Sequence, residues 1–458
     1  MSTLRLAAPD AGFAPGVGPI FRVSRGALLL LLGVIYAGCI QFFIGISPVL
    51  LNGTYLVIIG CLAVCLFFDW SASRNAQSVA PYLLWVFGYF LWGMTALSSD
   101  SNIFSEGVKM FIKNALVIGA LAIAVEARTL RPFAQLVQLA VLGNFALCVW
   151  ETANPELVRQ IAYTREAGAT AFNVLRPAGL WSNPDEAASA FIFSLLMARW
   201  AGGVLGWLGG FAAVAGIYLS ASRTGAYLLA FCAVFQAWQW LRLHRIDSAR
   251  IASVIAVLLL AGGTVAVVAK VLDFDPAEHW QLARFFDLTE STRDRGDTSR
   301  VEIAKSAVQA ALDGPWYGHG LFTFQLHAQP GIPTIIDPPA HNIFLAVWGE
   351  AGAFVGLTYL LILGFGIRRV FTTPMRPRDR ATVLLMWLCY LIIGLTWHNQ
   401  FTSFSGMIYI ALLWHLPAVL KIPANAETHA AGGSNWPQEP CVSRSTALLL
   451  QPSSLISK

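Results

Sequence analysis

Apolar residues in this chain come in long continuous runs that are separated by short polar connections. A helix that crosses the hydrocarbon core of a bilayer needs about 20 mostly apolar residues, so each run is a candidate membrane span. The pattern predicts an all-α polytopic membrane protein with about twelve transmembrane helices. We place these helices at residues 27–46, 49–68, 81–97, 108–125, 132–150, 184–200, 202–220, 223–241, 251–271, 341–367, 381–397 and 403–420.

The composition agrees with lipid as the solvent for most of the chain. Hydrophobic residues make up 56% of its 458 residues, and charged residues make up 12%, about half of the fraction in soluble domains. The net charge is only +5, and the basic residues are not interleaved with aromatic ones, so we expect no nucleic-acid partner. The seven cysteines lie mostly inside apolar runs, which favours small membrane hydrophobes over metal ligands.

The Lys and Arg residues in the short connections predict how the helices are oriented, because cytoplasmic loops are enriched in these residues. With the N-terminus inside the cell, the cytoplasmic connections hold almost all of them, for example Arg74, Arg128, Arg245 and Arg378. Arg223 is the exception among the short connections on the opposite side. An even number of spans then returns the C-terminus to the cytoplasm.

The predicted spans divide the chain into five segments. We expect a cytoplasmic N-terminal tail at 1–26, nine transmembrane helices over 27–271, a periplasmic loop domain at 272–340 and three further helices over 341–420. The tail at 421–458 is rich in small and polar residues, so we expect it to be cytoplasmic and disordered.

Two long connections, 151–183 and 272–340, lie on the periplasmic side in this topology. Long loops are usually either functional or disordered. From Thr298 onward the second one predicts an amphipathic helix, which favours a functional loop. Ionisable residues are scarce inside the spans, with Lys109 and Lys113 as the main exceptions, whereas ion-coupled transporters need such residues in mid-membrane. We therefore expect a site at the periplasmic surface, and a transporter or lipid flippase is the alternative from another class.

Three arginines stand at the outer ends of the predicted helices. Arg223, in the segment 219–227, either reaches lipid phosphate or binds a phosphate ligand through its planar donor fork. Arg300 opens the loop helix and is either a solvated charge or a second anion ligand. Arg176 precedes the sixth span and could help to bind the same anion.

Histidines offer candidate proton acceptors on the same side. His341 and Asn342 start the tenth span, and the positive end of a helix dipole favours the neutral imidazole, which can accept a proton near neutral pH. A capping or interfacial role is the alternative. His319 lies between two glycines and is interpreted as a turn residue. His398 is kept as a second candidate.

Acidic residues are less informative. Asn183, Asp185 and Glu186 form a helix-start signal, so capping explains these acids most simply. Asp273 and Asp275 form a DxD triplet that could hold a divalent cation, although acids at a helix end are the simpler interpretation.

Taken together, these clusters resemble the O-antigen ligase and O-antigen polymerase superfamily over roughly residues 170–370. The matching elements, in order, are Ser220-Ala221-Ser222-Arg223, the loop helix and G-P-x-x-G-x-G turn from Arg300 to Gly320, and His341-Asn342 followed by Glu350, Gly352 and Gly356.

The resemblance implies a glycosyltransferase in a bacterial inner membrane, with its site facing the periplasm. Members move a glycan from undecaprenyl diphosphate to lipid A-core (ligases) or to another carrier-linked glycan (O-antigen or exopolysaccharide polymerases), and related ones modify protein Ser or Thr. It implies that Arg223 and Arg300 stabilise the diphosphate, that Arg176 and Asn342 help to bind the substrate, and that His341 is the base. We expect inversion at the anomeric carbon, no cofactor and no metal, and we lean towards a ligase.

Overall fold

The computed structural model describes residues 19–39, 48–68, 76–95, 101–154, 170–171, 174–181, 183–243, 300–321, 342–396 and 403–422. Over these ranges the chain is helical, apart from one antiparallel pair of two-residue strands, β1 (Thr170–Ala171) and β2 (Val174–Leu175). The helices are α1 Pro19–Tyr36, α2 Pro48–Phe68, α3 Ala80–Thr95, α4 Ser101–Ala124, α5 Leu130–Ala153, α6 Pro184–Ala201, α7 Gly203–Ser220, α8 Arg223–Leu243, α9 Arg300–Asp313, α10 Ile343–Thr372, α11 Pro377–Thr396 and α12 Phe404–Val419.

A helix lies at eleven of the twelve predicted spans, and the remaining span, 251–271, falls outside the described residues. Within the described ranges, five helical segments are long and apolar enough to cross a membrane: 107–124, 130–153, 203–220, 343–372 and 377–396. These helices agree with a helical membrane protein, while the number of twelve crossings and the orientation remain predictions. The loop helix that we expected from Thr298 onward is present as α9.

The first helix is shifted towards the N-terminus relative to the predicted span 27–46. It begins at Pro19, a residue favoured in the first helical turn, and it ends at Tyr36. Gly38 then has a φ of 81°, and a Cβ there would lie under 3.0 Å from the Leu180 carbonyl. The chain therefore turns at Gly38, against the connection between α5 and α6.

Glycines let α7 pack closely against α5 and α6. A Cβ at Gly209 would lie under 3.0 Å from Gln138 of α5, and a Cβ at Gly216 would overlap the ring of Phe191 on α6. Small residues at such positions allow membrane helices to approach each other without a gap. These three helices form the support for the connections at the ends of α6 and α7.

Arg25 and Arg199, which were predicted to be cytoplasmic, lie at one end of the bundle. Arg25 pairs with Glu126 at 2.5 Å, and Nε2 of His415 lies 2.6 Å from the carbonyl oxygen of the neighbouring Val125. Because α6 ends near the start of α5, Arg199 lies at this same end. The turn between α7 and α8 and the start of α10 lie at the opposite end of the helices.

Candidate functional site

The connection between α7 and α8 is a tight turn around Ala221. Ala221 has a left-handed conformation (φ 47°, ψ 37°), and its amide donates to the Tyr218 carbonyl at 3.1 Å. Among the described residues it is the only non-glycine residue with a positive φ. The hydroxyl of Ser222 accepts from the Gly225 amide at 3.2 Å and caps the first turn of α8. Arg223 is therefore the first residue of α8, and it is partly exposed.

Arg176 and Asp185, which lie before and at the start of α6, bind this turn through their side chains. The Arg176 Nε donates to the Ser220 carbonyl at 3.2 Å, and its Nη2 lies 3.3 Å from Asp185 Oδ1. The same carboxylate oxygen accepts from the Ser222 hydroxyl at 2.6 Å. Arg176 is buried, with 3% of its surface exposed. The structure thus brings Arg176 to the turn that carries Arg223.

The segment that carries Arg176 is fixed by polar residues of α5. Glu151 accepts from the amides of Ala178 and Gly179 at 2.9 and 3.1 Å, and Asn144 Oδ1 accepts from the Leu180 amide at 2.8 Å. Both side chains are buried. Neither residue was predicted from the sequence, where the one available signal was their seven-residue spacing, which places them on one helix face.

The start of α6 follows the sequence signal, but the acids do not cap it. Asn183 is the cap, because its Oδ1 accepts from the amides of Asp185 and Glu186 at 3.0 and 2.8 Å. The Asp185 carboxylate instead binds Arg176. The buried Glu186 carboxylate accepts from the Ser405 hydroxyl at 2.5 Å and ties α6 to α12.

The turn after α9 docks into a kink of α10. Gly352 is non-helical (φ 86°, ψ 168°), so α10 is kinked at this residue. The amides of His319 and Gly320 donate to the carbonyls of Gly349 and Glu350 at 2.8 and 2.7 Å. A Cβ at Gly318 would lie under 3.0 Å from the Glu350 carbonyl, so the close approach requires glycine.

Side chains reinforce this docking. Ala307 and Ala311 of α9 pack with Leu345 and Trp348 of α10. The Tyr89 hydroxyl of α3 donates to the buried Glu350 carboxylate. Contacts advance in the same order along both segments, since α9 lies against residues 345–348 and the following turn lies against 349–352. The two segments therefore run in the same direction, and α9 and α10 both begin on the same side of this contact.

His319 contributes to this same contact. Its ring Nε2 lies 3.2 Å from the Ala310 carbonyl oxygen, and its backbone amide is one of the two that bind α10. These interactions fit the turn role that the sequence predicted for it.

The remaining predicted residues are described only in part. Asn342 caps α10, with its Oδ1 accepting from the amides of Phe344 and Leu345 at 2.9 and 3.1 Å. Arg300 is the first residue of α9, and its side chain lies outside the description. His341, which directly precedes Asn342, lies outside the described residues. The meeting of these side chains with Arg223 stays a prediction.

The alternatives for a metal and a second base also fall on undescribed parts of the chain. Asp273, Asp275 and His398 lie outside the described residues. Within the ranges that are described, His, Cys, Asp and Glu do not form a group of three or more that could hold a metal ion.

Comparison with known proteins identifies one family. A family model described as O-antigen ligase matches residues 208–360, which are 153 of the 458 residues. The match covers the 220–223 turn, α9, its docking turn and the kink of α10. It confirms the resemblance to the O-antigen ligase and polymerase superfamily. No curated protein matches the chain.

Proposed function

We propose that the chain, which carries an O-antigen ligase family domain at residues 208–360, transfers a glycan from undecaprenyl diphosphate to an acceptor hydroxyl. The acceptor is a sugar of lipid A-core, and the reaction takes place at the periplasmic face of a bacterial inner membrane. The family match carries this proposal, because it supports an activity of the O-antigen ligase or polymerase type in general.

The positions of the candidate residues at helix starts support an anionic substrate. Arg223 and Arg300 are the first residues of α8 and α9, and His341 directly precedes the Asn342 cap of α10. Helix N-termini present amide donors and a positive partial charge, which favour a bound phosphate. Each arginine adds a full charge to such an end. All three proposed catalytic residues therefore stand at a helix start or directly before one, which supports the proposal of a bound diphosphate.

The reaction follows from these groups. Negative charge grows on the lipid diphosphate as its bond to the anomeric carbon breaks, and Arg223 and Arg300 stabilise that charge most in the transition state. The His341 imidazole takes the proton of the attacking acceptor hydroxyl. Direct displacement inverts the anomeric carbon. Because the phosphoglycosyl bond supplies the driving force, the proposal requires neither a cofactor nor a metal. Asn342 holds the start of α10 and contacts the glycan through its amide nitrogen.

Complementation of a deletion strain tests the proposal. We expect the deletion strain to show bare lipid A-core on a lipopolysaccharide gel and to accumulate carrier-linked glycan on the periplasmic face. R223Q and H341A should fail to restore the polysaccharide, with a loss of roughly 100-fold or more in transfer. R131Q is the matched control, because Arg131 is an exposed arginine at the opposite end of the bundle.

The same experiment separates the alternatives. A single glycan repeat on the core would indicate a polymerase that uses the same chemistry with a carrier-linked acceptor. Carrier-linked glycan trapped on the cytoplasmic face would indicate a flippase or polysaccharide transporter and would overturn the proposal.

A further inference from the structure

We infer that Arg176 and Asp185 are positioning residues, which act on the transfer reaction by holding the 220–222 turn that presents Arg223. The inference rests on the proposed function, and it replaces the expectation that Arg176 binds the substrate anion. It concerns four groups at the outer end of α6, α7 and α8: the Arg176 guanidinium, the Asp185 carboxylate, the Ser220 carbonyl and the Ser222 hydroxyl.

The charge of Arg176 is already compensated within the protein. Its side chain is 4% exposed and lies 3.3 Å from Asp185 Oδ1, whereas the carboxylate side chain is 37% exposed. A buried guanidinium that has a carboxylate partner attracts a further anion less than an unpaired one does. Its Nε is also used, because it donates to the Ser220 carbonyl. Both described contacts of the Arg176 guanidinium are therefore with the protein.

These contacts fix the turn on both sides of its disfavoured residue. Ala221 has a left-handed backbone, which is disfavoured for a residue with a Cβ. Such conformations persist where the surroundings over-determine them. Arg176 binds the carbonyl directly before Ala221, and Asp185 binds the hydroxyl directly after it. Since Arg223 follows at the next position, the direction in which α8 and its first side chain start depends on this turn.

The geometry explains why an arginine is needed at position 176. The guanidinium donates in two directions at once, from Nε to the Ser220 carbonyl and from Nη2 to Asp185. A lysine ammonium keeps the charge, but it has no second rigid donor at that spacing. R176K is therefore predicted to fail almost as completely as R176Q. A residue that bound the diphosphate by charge alone would instead be largely rescued by lysine.

Steady-state kinetics separates positioning from binding. The assay uses the purified chain in lipid nanodiscs, undecaprenyl-diphosphate-linked glycan extracted from the deletion strain as donor, and lipid A-core as acceptor. We expect R176K and S222A to lower kcat by roughly 10-fold to 100-fold, because a displacement of about 1 Å is that costly, and to leave the donor KM within about twofold. R223Q should raise the donor KM as well.

Matched variants keep the result interpretable. S222A removes one hydroxyl and leaves both charges of the Arg176–Asp185 pair in place, so it avoids the misfolding that an unpaired buried charge can cause. S189A is the control, since Ser189 is a buried serine one turn along α6 whose hydroxyl donates to the Asp185 backbone carbonyl at 2.8 Å. It should keep the wild-type kcat. Full activity of R176K, or an increase in donor KM for R176Q equal to that of R223Q, would overturn the inference.

Hydrogen exchange provides a readout that does not depend on the reaction. Amides of residues 221–226 should exchange faster in S222A and R176K than in wild type, and S189A and R223Q should leave them unchanged. Unchanged exchange in S222A and R176K contradicts the inference. If S222A and R176K exchange faster but the wild-type chain transfers no glycan, the role of Arg176 in the turn is supported. Only the proposed function is then contradicted.

Discussion

Replacing Gly352 with alanine perturbs the contact between α10 and the turn that follows α9. Gly352 has φ 86° and ψ 168°, a backbone region that is essentially restricted to glycine. A Cβ there would lie 2.9 Å from the carbonyl carbons of both Trp316 and Tyr317, and closer still to the Trp316 oxygen. These are backbone atoms, so a change of side-chain rotamer cannot relieve the overlap.

Only the strain that G352A adds to the docked state shifts the undocking equilibrium. The disfavoured backbone conformation costs about 1–3 kcal/mol in a residue with a Cβ. Undocking breaks the two hydrogen bonds from His319 and Gly320 to α10 in wild type and variant alike, so their energies cancel in the comparison. Undocking is therefore favoured by about 1–3 kcal/mol relative to wild type, which corresponds to a loss of protection of roughly 5-fold to 150-fold.

Hydrogen exchange of the His319 and Gly320 amides measures this loss directly, and thermal unfolding of the purified protein measures the global effect. G364A is the matched control: Gly364 lies in the same helix, and a Cβ there meets nothing within 4 Å. Because alanine is preferred over glycine in a helix, the control should be neutral or more stable by about 0.5–1 kcal/mol. Equal protection of the two amides in G352A, G364A and wild type would show that α10 is not kinked at Gly352, and would refute the reasoning.

Three further predictions concern two contacts between helices and one between α5 and the segment that carries Arg176. Cys232 of α8 and Cys389 of α11 have sulfur atoms 3.6 Å apart, so a membrane-permeant oxidant should join them; mass spectrometry of the peptides checks this, and an absent crosslink would contradict the packing of these helices. S405A should destabilise the protein by about 1–3 kcal/mol in thermal unfolding, because the buried Glu186 carboxylate loses its hydroxyl donor, and an unchanged Tm would contradict that contact. E151A should increase hydrogen exchange of the Ala178 and Gly179 amides, whereas E151Q, which keeps an acceptor oxygen, should increase it less.

The helices could be predicted from the sequence because a membrane span is a local pattern of apolar residues. The positions of α2, α6 and α7 agree with the prediction within a few residues. The first helix was displaced because its end depends on Gly38, whose turn is set by the Leu180 carbonyl from a distant part of the chain. Apolar content alone carries no signal for such a contact.

The arginines of the site illustrate what the sequence could not decide. Arg176 and Arg223 are the same residue type in two separate segments of the sequence, and the sequence assigned both to an anion. Burial separates them: Arg176 is enclosed between Asp185 and the Ser220 carbonyl, whereas Arg223 is partly exposed at the start of a helix. Since both partners of Arg176 are defined by the packing of α6 against α7, its role depends on tertiary structure. The sequence could propose both arginines as anion ligands, but it could not show that Arg176 is buried against a carboxylate.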